Sequence, residues 1–140
     1  MTSPDGITKP TTWWPLWLFS RFMRDWTVGA HVSCGVCEGE TSPVWLRSAK
    51  DTPWLNVSAT LGDDGYANVA VVNVHDTQDL ESRVEGVCGD VAVFTVTAAD
   101  ILATNMEGAE EVRVQESTWD GSGNYAFPKH SLTLLRWKAE

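Results

Sequence analysis

The sequence is short of basic residues. Of its 140 residues, 10 are Lys or Arg and 19 are Asp or Glu, which gives a formal net charge of −9 and a pI of about 4.6. A nucleic-acid-binding domain needs a basic patch, and an anionic membrane surface would repel an acidic chain. The apolar run from Trp13 to Phe19 is broken by Pro15 and is far shorter than the roughly 20 residues of a membrane span. We therefore predict neither a nucleic-acid partner nor a membrane partner.

The sequence also lacks the common catalytic motifs. It has no glycine-rich phosphate loop, no His-Glu-x-x-His and no Gly-x-Ser-x-Gly. Glycoside hydrolysis needs two carboxyl groups about 5–9 Å apart, one of them with a raised pKa. A carboxyl group that is exposed to water in a turn has no burial to raise its pKa. The carboxylates of this chain fall in such predicted turns: Asp63, Asp64, Asp76, Asp79, Glu110 and Glu111. We predict no catalytic residue and no cofactor site in this chain.

Cysteine is scarce and odd in number, which argues against a complete set of disulfides. Cys34-Gly-Val-Cys37 has the spacing of half a metal site, and His31 and Cys88 are the residues that could complete it. A structural zinc needs four well-spaced ligands, and no second Cys pair is present. Ordinary buried thiols are favoured, and we predict no metal. The remaining histidines, His75 and His130, are predicted to be surface or packing residues.

Tryptophan, by contrast, is abundant, with eight residues. Packing in a core or an interface is the favoured interpretation. The alternative is a platform on which sugars stack, and its candidates are Trp45, Trp54 and Trp119, since these lie near turn signals.

One modification motif is present. Asn56-Val57-Ser58 is an N-glycosylation sequon, so Asn56 is a candidate acceptor. The polar start of the chain predicts no signal peptide, which leaves the compartment open.

Alternating segments dominate from Trp54 to Trp137. Trp54–Leu61 alternates apolar and polar residues, Gly62–Gly65 is a turn signal, and Tyr66–Val74 is a second apolar strand, which together predict a β-hairpin. Further short strands are predicted at Val28–Cys34, Val44–Arg47, Leu80–Val87, Val91–Thr97, Val112–Ser117, Tyr125–Phe127 and Ser131–Trp137, with one helical turn at Ala98–Ala103. This spacing predicts an antiparallel β-sandwich.

A single segment has helical periodicity. Trp14–Trp26 places Leu16, Phe19, Met23 and Trp26 on one stripe, and Trp17, Leu18 and Phe22 widen its apolar surface. A helix that is apolar on most sides is normally buried on most sides. We therefore expect this helix to pack partly against something outside the chain. In the isolated chain, several of six side chains should form an exposed apolar patch through which the chain self-associates: Trp13, Trp14, Trp17, Leu18, Phe22 and Trp26.

The segments together resemble the end of an α-L-arabinofuranosidase of glycoside hydrolase family 51, and most closely its fungal members. The similarity is ordered along nearly the whole chain and is carried by Pro15–Arg24, His31–Cys34, Pro53–Thr60, Val71–His75, Ala103–Asn105 and Phe127–Trp137. The resemblance implies a (β/α)8 catalytic barrel followed by a jelly-roll-like β-sandwich. Residues 1–27 would be the last barrel loop and helix, and residues 28–140 the sandwich.

The family's activity implies hydrolysis of terminal non-reducing α-L-arabinofuranosyl residues in arabinoxylan and arabinan, within L-arabinose metabolism. Its acid/base glutamate follows an asparagine, and this chain has no Asn-Glu pair. Where the family has a Gln-Thr pair before the last barrel helix, this chain reads Lys9-Pro10-Thr11-Thr12. We expect a domain that supports a barrel and is inactive alone; the alternative is a free-standing carbohydrate-binding sandwich. Fungal members are often secreted.

Overall fold

The computed structural model describes residues 2–3, 6–39, 49–106 and 110–139. Within them the chain forms a helix, α1, at Trp13–Phe22 and twelve strands. The strands are β1 Thr2–Ser3, β2 Gly6–Ile7, β3 Trp26–Val28, β4 Val36–Gly39, β5 Ala49–Pro53, β6 Leu55–Leu61, β7 Tyr66–Asn73, β8 Leu80–Arg83, β9 Val91–Thr97, β10 Arg113–Trp119, β11 Asn124–Phe127 and β12 Ser131–Lys138. Among these residues no helix has the length and apolarity to cross a membrane.

The main sheet has six antiparallel strands in the order β10-β9-β12-β7-β6-β3. The predicted hairpin is confirmed as β6 and β7, which pair from Leu55 with Asn73 to Leu61 with Ala67. Its turn is closed by the Gly65 N–H, which donates to the Gly62 carbonyl over 2.9 Å. Gly65 has a φ of 75°, a value that glycine adopts without steric cost.

Both faces of this sheet are apolar, because its central strands alternate between two cores. We call one the helix-side core; its buried members are Leu18, Ala70, Val96, Val112, Leu132 and Leu134. The other is the far-side core, with Leu55, Val71, Val91, Val93, Phe127, Leu135 and Trp137. Strand β12 supplies alternate residues to each, so it is buried on both faces. Each face therefore needs its own cover.

Two different elements cover the two faces. α1 lies on one face and buries Leu18 completely. The other face is covered by the two-stranded sheet of β8 and β11, together with the half-buried Val32 and Cys34. The predicted class, a mainly β antiparallel sandwich with one N-terminal helix, is confirmed for the described residues.

The predicted end of the helix is wrong, because α1 stops at Phe22 and not at Trp26. Asp25 has a φ of 71°, which breaks a helix, and its carboxylate accepts a hydrogen bond from the Asp63 N–H over 2.9 Å. Trp26 Nε1 in turn donates to the Asp63 carboxylate over 3.0 Å. These contacts with the β6–β7 turn draw Trp26 into β3, which pairs with β6.

Two further predictions are corrected. The strand expected at Val28–Cys34 is absent: residues 29–35 have no regular structure, and they place Val32 and Cys34 on the far-side core instead. The helical turn expected at Ala98–Ala103 is a β-turn, closed by the Ala103 N–H donating to the Asp100 carbonyl over 3.1 Å. The other strands are found with shifts of a few residues. The strand predicted at Val44–Arg47 lies outside the described residues.

Two leucines on opposite sides of α1 test this packing. Leu18 is 0% exposed and Leu16 is 69% exposed. Leu18→Ala should lower the free energy of unfolding by about 2–5 kcal/mol, because it removes buried methyl groups and leaves a cavity. Leu16→Ala should change it by no more than about 0.5 kcal/mol. Urea denaturation at low protein concentration measures both; equal losses would mean that α1 does not dock as described.

Candidate functional site

The most distinctive surface of the described chain is the outward side of α1. Trp13, Leu16 and Phe19 are 45%, 69% and 38% exposed. Their spacing of three residues places them along one side of the helix, and we call them the outer face of α1. An apolar row of this kind on an ordered helix is typical of a surface that contacts another protein part.

The opposite side of α1 is tied to the main sheet by aromatic contacts. Phe22 packs on Phe94 of β9 with ring centroids 4.8 Å apart. Trp17 meets both Trp14 and Phe22 edge to face, each at 6.4 Å. Such pairs stabilise by about 0.5–1.5 kcal/mol beyond the area they bury. The helix is therefore held in one orientation, and the outer face is presented in a fixed position.

Arg136 of β12 connects this helix to the hairpin. Its guanidinium lies 5.3 Å from the ring of Phe22 and 4.1 Å from the ring of Tyr66. Its Nη2 donates to the Asp64 carboxylate over 2.6 Å and its Nη1 to the buried Asn68 Oδ1 over 3.0 Å. The Arg136 hydrogen bond, followed by that of the Tyr66 N–H, lowers the pKa of Asp64 below its ordinary value of 3.8.

Two of the segments that carry the family resemblance, Val71–His75 and Phe127–Trp137, are joined by hydrogen bonds around the loop after β7. Asn73, which is buried, donates from Nδ2 to the carbonyls of Gln78 and Phe127 over 3.1 and 3.0 Å. His75 accepts the N–H groups of Thr77 and Gln78 at Nδ1, and its carbonyl accepts the N–H of His130. These residues hold the loop after β7 to the start of β12, which is a structural task.

The tryptophans predicted as sugar platforms are engaged in packing. Trp54 is half-buried and its ring lies 4.4 Å from that of His75. Trp119 is also half-buried; it meets Tyr125 at 5.4 Å and donates from Nε1 to the Ser122 carbonyl over 3.1 Å. Trp45 lies outside the described residues. Each described ring is thus in contact with another ring of the chain, as the packing interpretation predicts.

The structure disperses the cysteines and histidines. Cys34 and Cys88 pack against the far-side core, and Cys34 Sγ accepts the Leu55 N–H over 3.5 Å. Cys37 lies in β4 opposite Thr52, and His31 is exposed. All three cysteines are free thiols. Within the described ranges no three His, Cys, Asp or Glu side chains come together as metal ligands.

The carboxylates with perturbed pKa values are shifted in the wrong direction for a general acid. Asp120 has its pKa lowered by hydrogen bonds from the Ser122 N–H, at 2.9 Å, and from the Ser122 hydroxyl, at 2.8 Å. The pKa of Asp64 is also lowered. A carboxyl group that protonates a leaving group needs a raised pKa. These two carboxylates instead accept hydrogen bonds that stabilise turns.

The glycosylation candidate is accessible. Asn56 lies in β6, opposite Val72 of β7, and its side chain is exposed. Its modification stays a prediction.

Sequence reasoning placed the exposed apolar surface on the right helix but on partly different residues. Of the six predicted candidates, Trp13 and Trp26 are exposed, at 45% and 68%, whereas Trp14, Trp17, Leu18 and Phe22 pack inward. The prediction did not include Leu16 and Phe19, and it missed the loop between β9 and β10. In that loop Ile101 and Leu102 are 63% and 83% exposed. Adjacent exposed apolar residues beside Asp100 were the available signal, but the segment resembled a short helix.

Comparison with known proteins assigns the chain to one group. The family model described as "Alpha-L-arabinofuranosidase C-terminal domain" matches residues 1–131. A probable alpha-L-arabinofuranosidase C of Aspergillus fumigatus is 68% identical over the whole chain, which spans 28% of that protein. Alpha-L-arabinofuranosidase C of Emericella nidulans is 60% identical over 99% of the chain and 28% of its own length. The chain thus spans about a quarter of the relatives it matches.

Solved structures agree. The thermostable GH51 alpha-L-arabinofuranosidase of Thermotoga petrophila RKU-1 matches with a TM-score of 0.58 and 27% identity, over 66% of this chain and 21% of that one. The Thermotoga maritima alpha-L-arabinofuranosidase, solved with arabinose, matches with a TM-score of 0.57 and 28% identity, over 65% and 20%. In both, this chain resembles a small part of a larger protein.

The Asp64–Arg136 contact predicts a pH-dependent contribution to stability. A carboxyl group whose pKa is lowered by folding stabilises the fold above its ordinary pKa of 3.8, and this contribution is lost as the pH falls through the lowered value. Asp64→Asn should therefore destabilise the chain at pH 7 and have a shrinking effect below about pH 4. Urea denaturation from pH 7 to pH 2.5 measures the difference. Asp90→Asn, in another exposed turn, is the control; a pH-independent loss in Asp64→Asn would contradict the account.

Proposed function

We propose that this chain, which belongs to the family of alpha-L-arabinofuranosidase C-terminal domains, is the C-terminal domain of an enzyme that hydrolyses terminal α-L-arabinofuranosyl residues. The preceding part of that enzyme carries the catalysis. The enzyme would act on arabinose-containing polysaccharides such as arabinoxylan and arabinan, and this domain would reach them through the part that precedes it. The observation that carries the proposal is the outer face of α1.

The domain's task is to support the catalytic part. Trp13, Leu16 and Phe19 lie on a helix whose other side is fixed to the sheet. Burying large apolar side chains completely is worth about 1.5–3 kcal/mol each, so covering these three would give a strong docking contact. The division into residues 1–27, from the last barrel loop and helix, and residues 28–140, the sandwich, is part of this proposal.

The chain alone is expected to be inactive. Its perturbed carboxyl groups have lowered pKa values, and retaining or inverting hydrolysis needs a paired acid and base or nucleophile. Purified chain should release no arabinose from an aryl α-L-arabinofuranoside. Turnover that disappears when one carboxylate of the chain is replaced would contradict this.

The free-standing carbohydrate-binding sandwich has less support. It requires exposed aromatic platforms, whereas Trp54 and Trp119 are half-buried and pack against His75 and Tyr125. No other observation among the described residues favours it.

A hybrid enzyme tests the proposal directly. In it, this chain replaces the 140 residues that it matches in the A. fumigatus relative. The hybrid should release arabinose from an aryl α-L-arabinofuranoside and should unfold in one calorimetric transition, because a docked domain unfolds with its partner. Leu16→Asp together with Phe19→Asp should separate the unfolding into two transitions and reduce activity. An unmodified hybrid that is inactive, or that unfolds in two steps, would overturn the proposal.

The isolated chain is also proposed to self-associate through the same face. An exposed apolar row left without its partner is driven to bury itself against a second copy. Light scattering should show mass that rises with concentration for the unmodified chain, and a monomer for the Leu16→Asp, Phe19→Asp variant. The control is Val36→Asp, at an exposed residue of β4, which should still associate. A monodisperse unmodified chain at high concentration would contradict the proposal.

A further inference from the structure

A second exposed apolar element lies beside α1. It is the loop from residue 98 to residue 106, which follows β9, and its outward residues are Ile101, Leu102 and Met106 at 63%, 83% and 41% exposure. We call it the β9 loop. A loop tip normally carries small or polar residues, so two adjacent exposed branched apolar side chains are unusual there.

Hydrogen bonds order this loop. The Asp100 carboxylate accepts the Leu102 N–H over 2.8 Å, and the Asp100 carbonyl accepts the Ala103 N–H over 3.1 Å. At the base, the side chain of buried Asn105 pairs with the backbone of Val112 through two hydrogen bonds, one of them 2.9 Å from the Val112 N–H to Oδ1. Ile101 and Leu102 are thus held at the surface by a built turn.

The β9 loop and α1 form the two sides of a cleft. Thr11, Thr12 and Pro15 line one side and Ile101 and Ala103 the other, and the cleft has a volume of about 270 Å³. Its floor includes Val96 and Leu132 of the helix-side core. An apolar cavity of about 150 Å³ holds a benzene-sized group, so the cleft has room for an aromatic side chain.

We propose that the β9 loop and this cleft form the second half of the docking surface, and that an apolar side chain of the preceding catalytic part inserts between Pro15 and Ile101. This inference rests on the proposed function. Pro15 and Phe19 are four residues apart, so the cleft adjoins the outer face of α1 along the same helix. The relatives are more than three times as long as this chain, which leaves a large preceding part to cover both.

Substitutions in the hybrid enzyme test the inference. Ile101→Asp with Leu102→Asp should lower the docking equilibrium constant about tenfold or more, seen as a separate, lower-temperature unfolding transition. In the isolated chain the same double variant should unfold at the unmodified temperature, because both side chains are exposed. Val36→Asp in the hybrid is the control and should leave a single transition.

The outcomes separate the two proposals. A split transition with the Ile101, Leu102 variant supports the second docking half. If the Ile101, Leu102 variant unfolds in one transition while the Leu16, Phe19 variant unfolds in two, the inference is overturned and the proposed function stands. An unmodified hybrid that already unfolds in two steps overturns both.

Photo-crosslinking gives a direct contact readout. Benzoylphenylalanine replaces Leu102 in the hybrid, the protein is irradiated, and crosslinked peptides are identified by mass spectrometry. Peptides from the preceding part of the same chain are expected. Crosslinks between copies of the chain, or reaction with solvent alone, would overturn the inference.

Discussion

The structure depends on the burial of β12 from both sides. Leu132 and Leu134 face one core while Leu135 and Trp137 face the other, and all four are nearly inaccessible to water. A strand of this kind is stable only if both faces of its sheet are covered. The β8–β11 pair covers one face, and α1 covers the other through Leu18. The helix is therefore part of the core of this chain.

α1 is apolar on two sides, and this constraint accounts for one of them. Its inner side is apolar because it completes the helix-side core, and its outer face is apolar although nothing within the described residues covers it. Arg136 and Asp64 stabilise the end of the hairpin beneath Phe22, which fixes the helix where β12 and β7 meet. The chain belongs to the family of alpha-L-arabinofuranosidase C-terminal domains and spans 28% of the length of its A. fumigatus relative.

Much of the fold was predictable, because alternation is a local signal. The β6–β7 hairpin, β9 and β12 follow directly from their patterns, and the family resemblance is confirmed. The end of α1 was not predictable, since Trp26 is drawn into β3 by Asp63, 37 residues away. Nor could periodicity choose between Leu16 and Leu18: both fit an apolar stripe, and only the position of the sheet decides which is buried. The β9 loop was missed because Asp100 closes a turn that resembles a helix start.

The central claim is that α1 lies between two apolar partners in the complete enzyme. Carbene footprinting with residue-level mass spectrometry tests it most directly, in the isolated chain at a concentration where it is monomeric and in the hybrid enzyme. Leu18 should be protected in both. Leu16 and Phe19 should be labelled in the isolated chain and protected in the hybrid. Equal labelling of Leu16 and Phe19 in the two proteins would contradict the account.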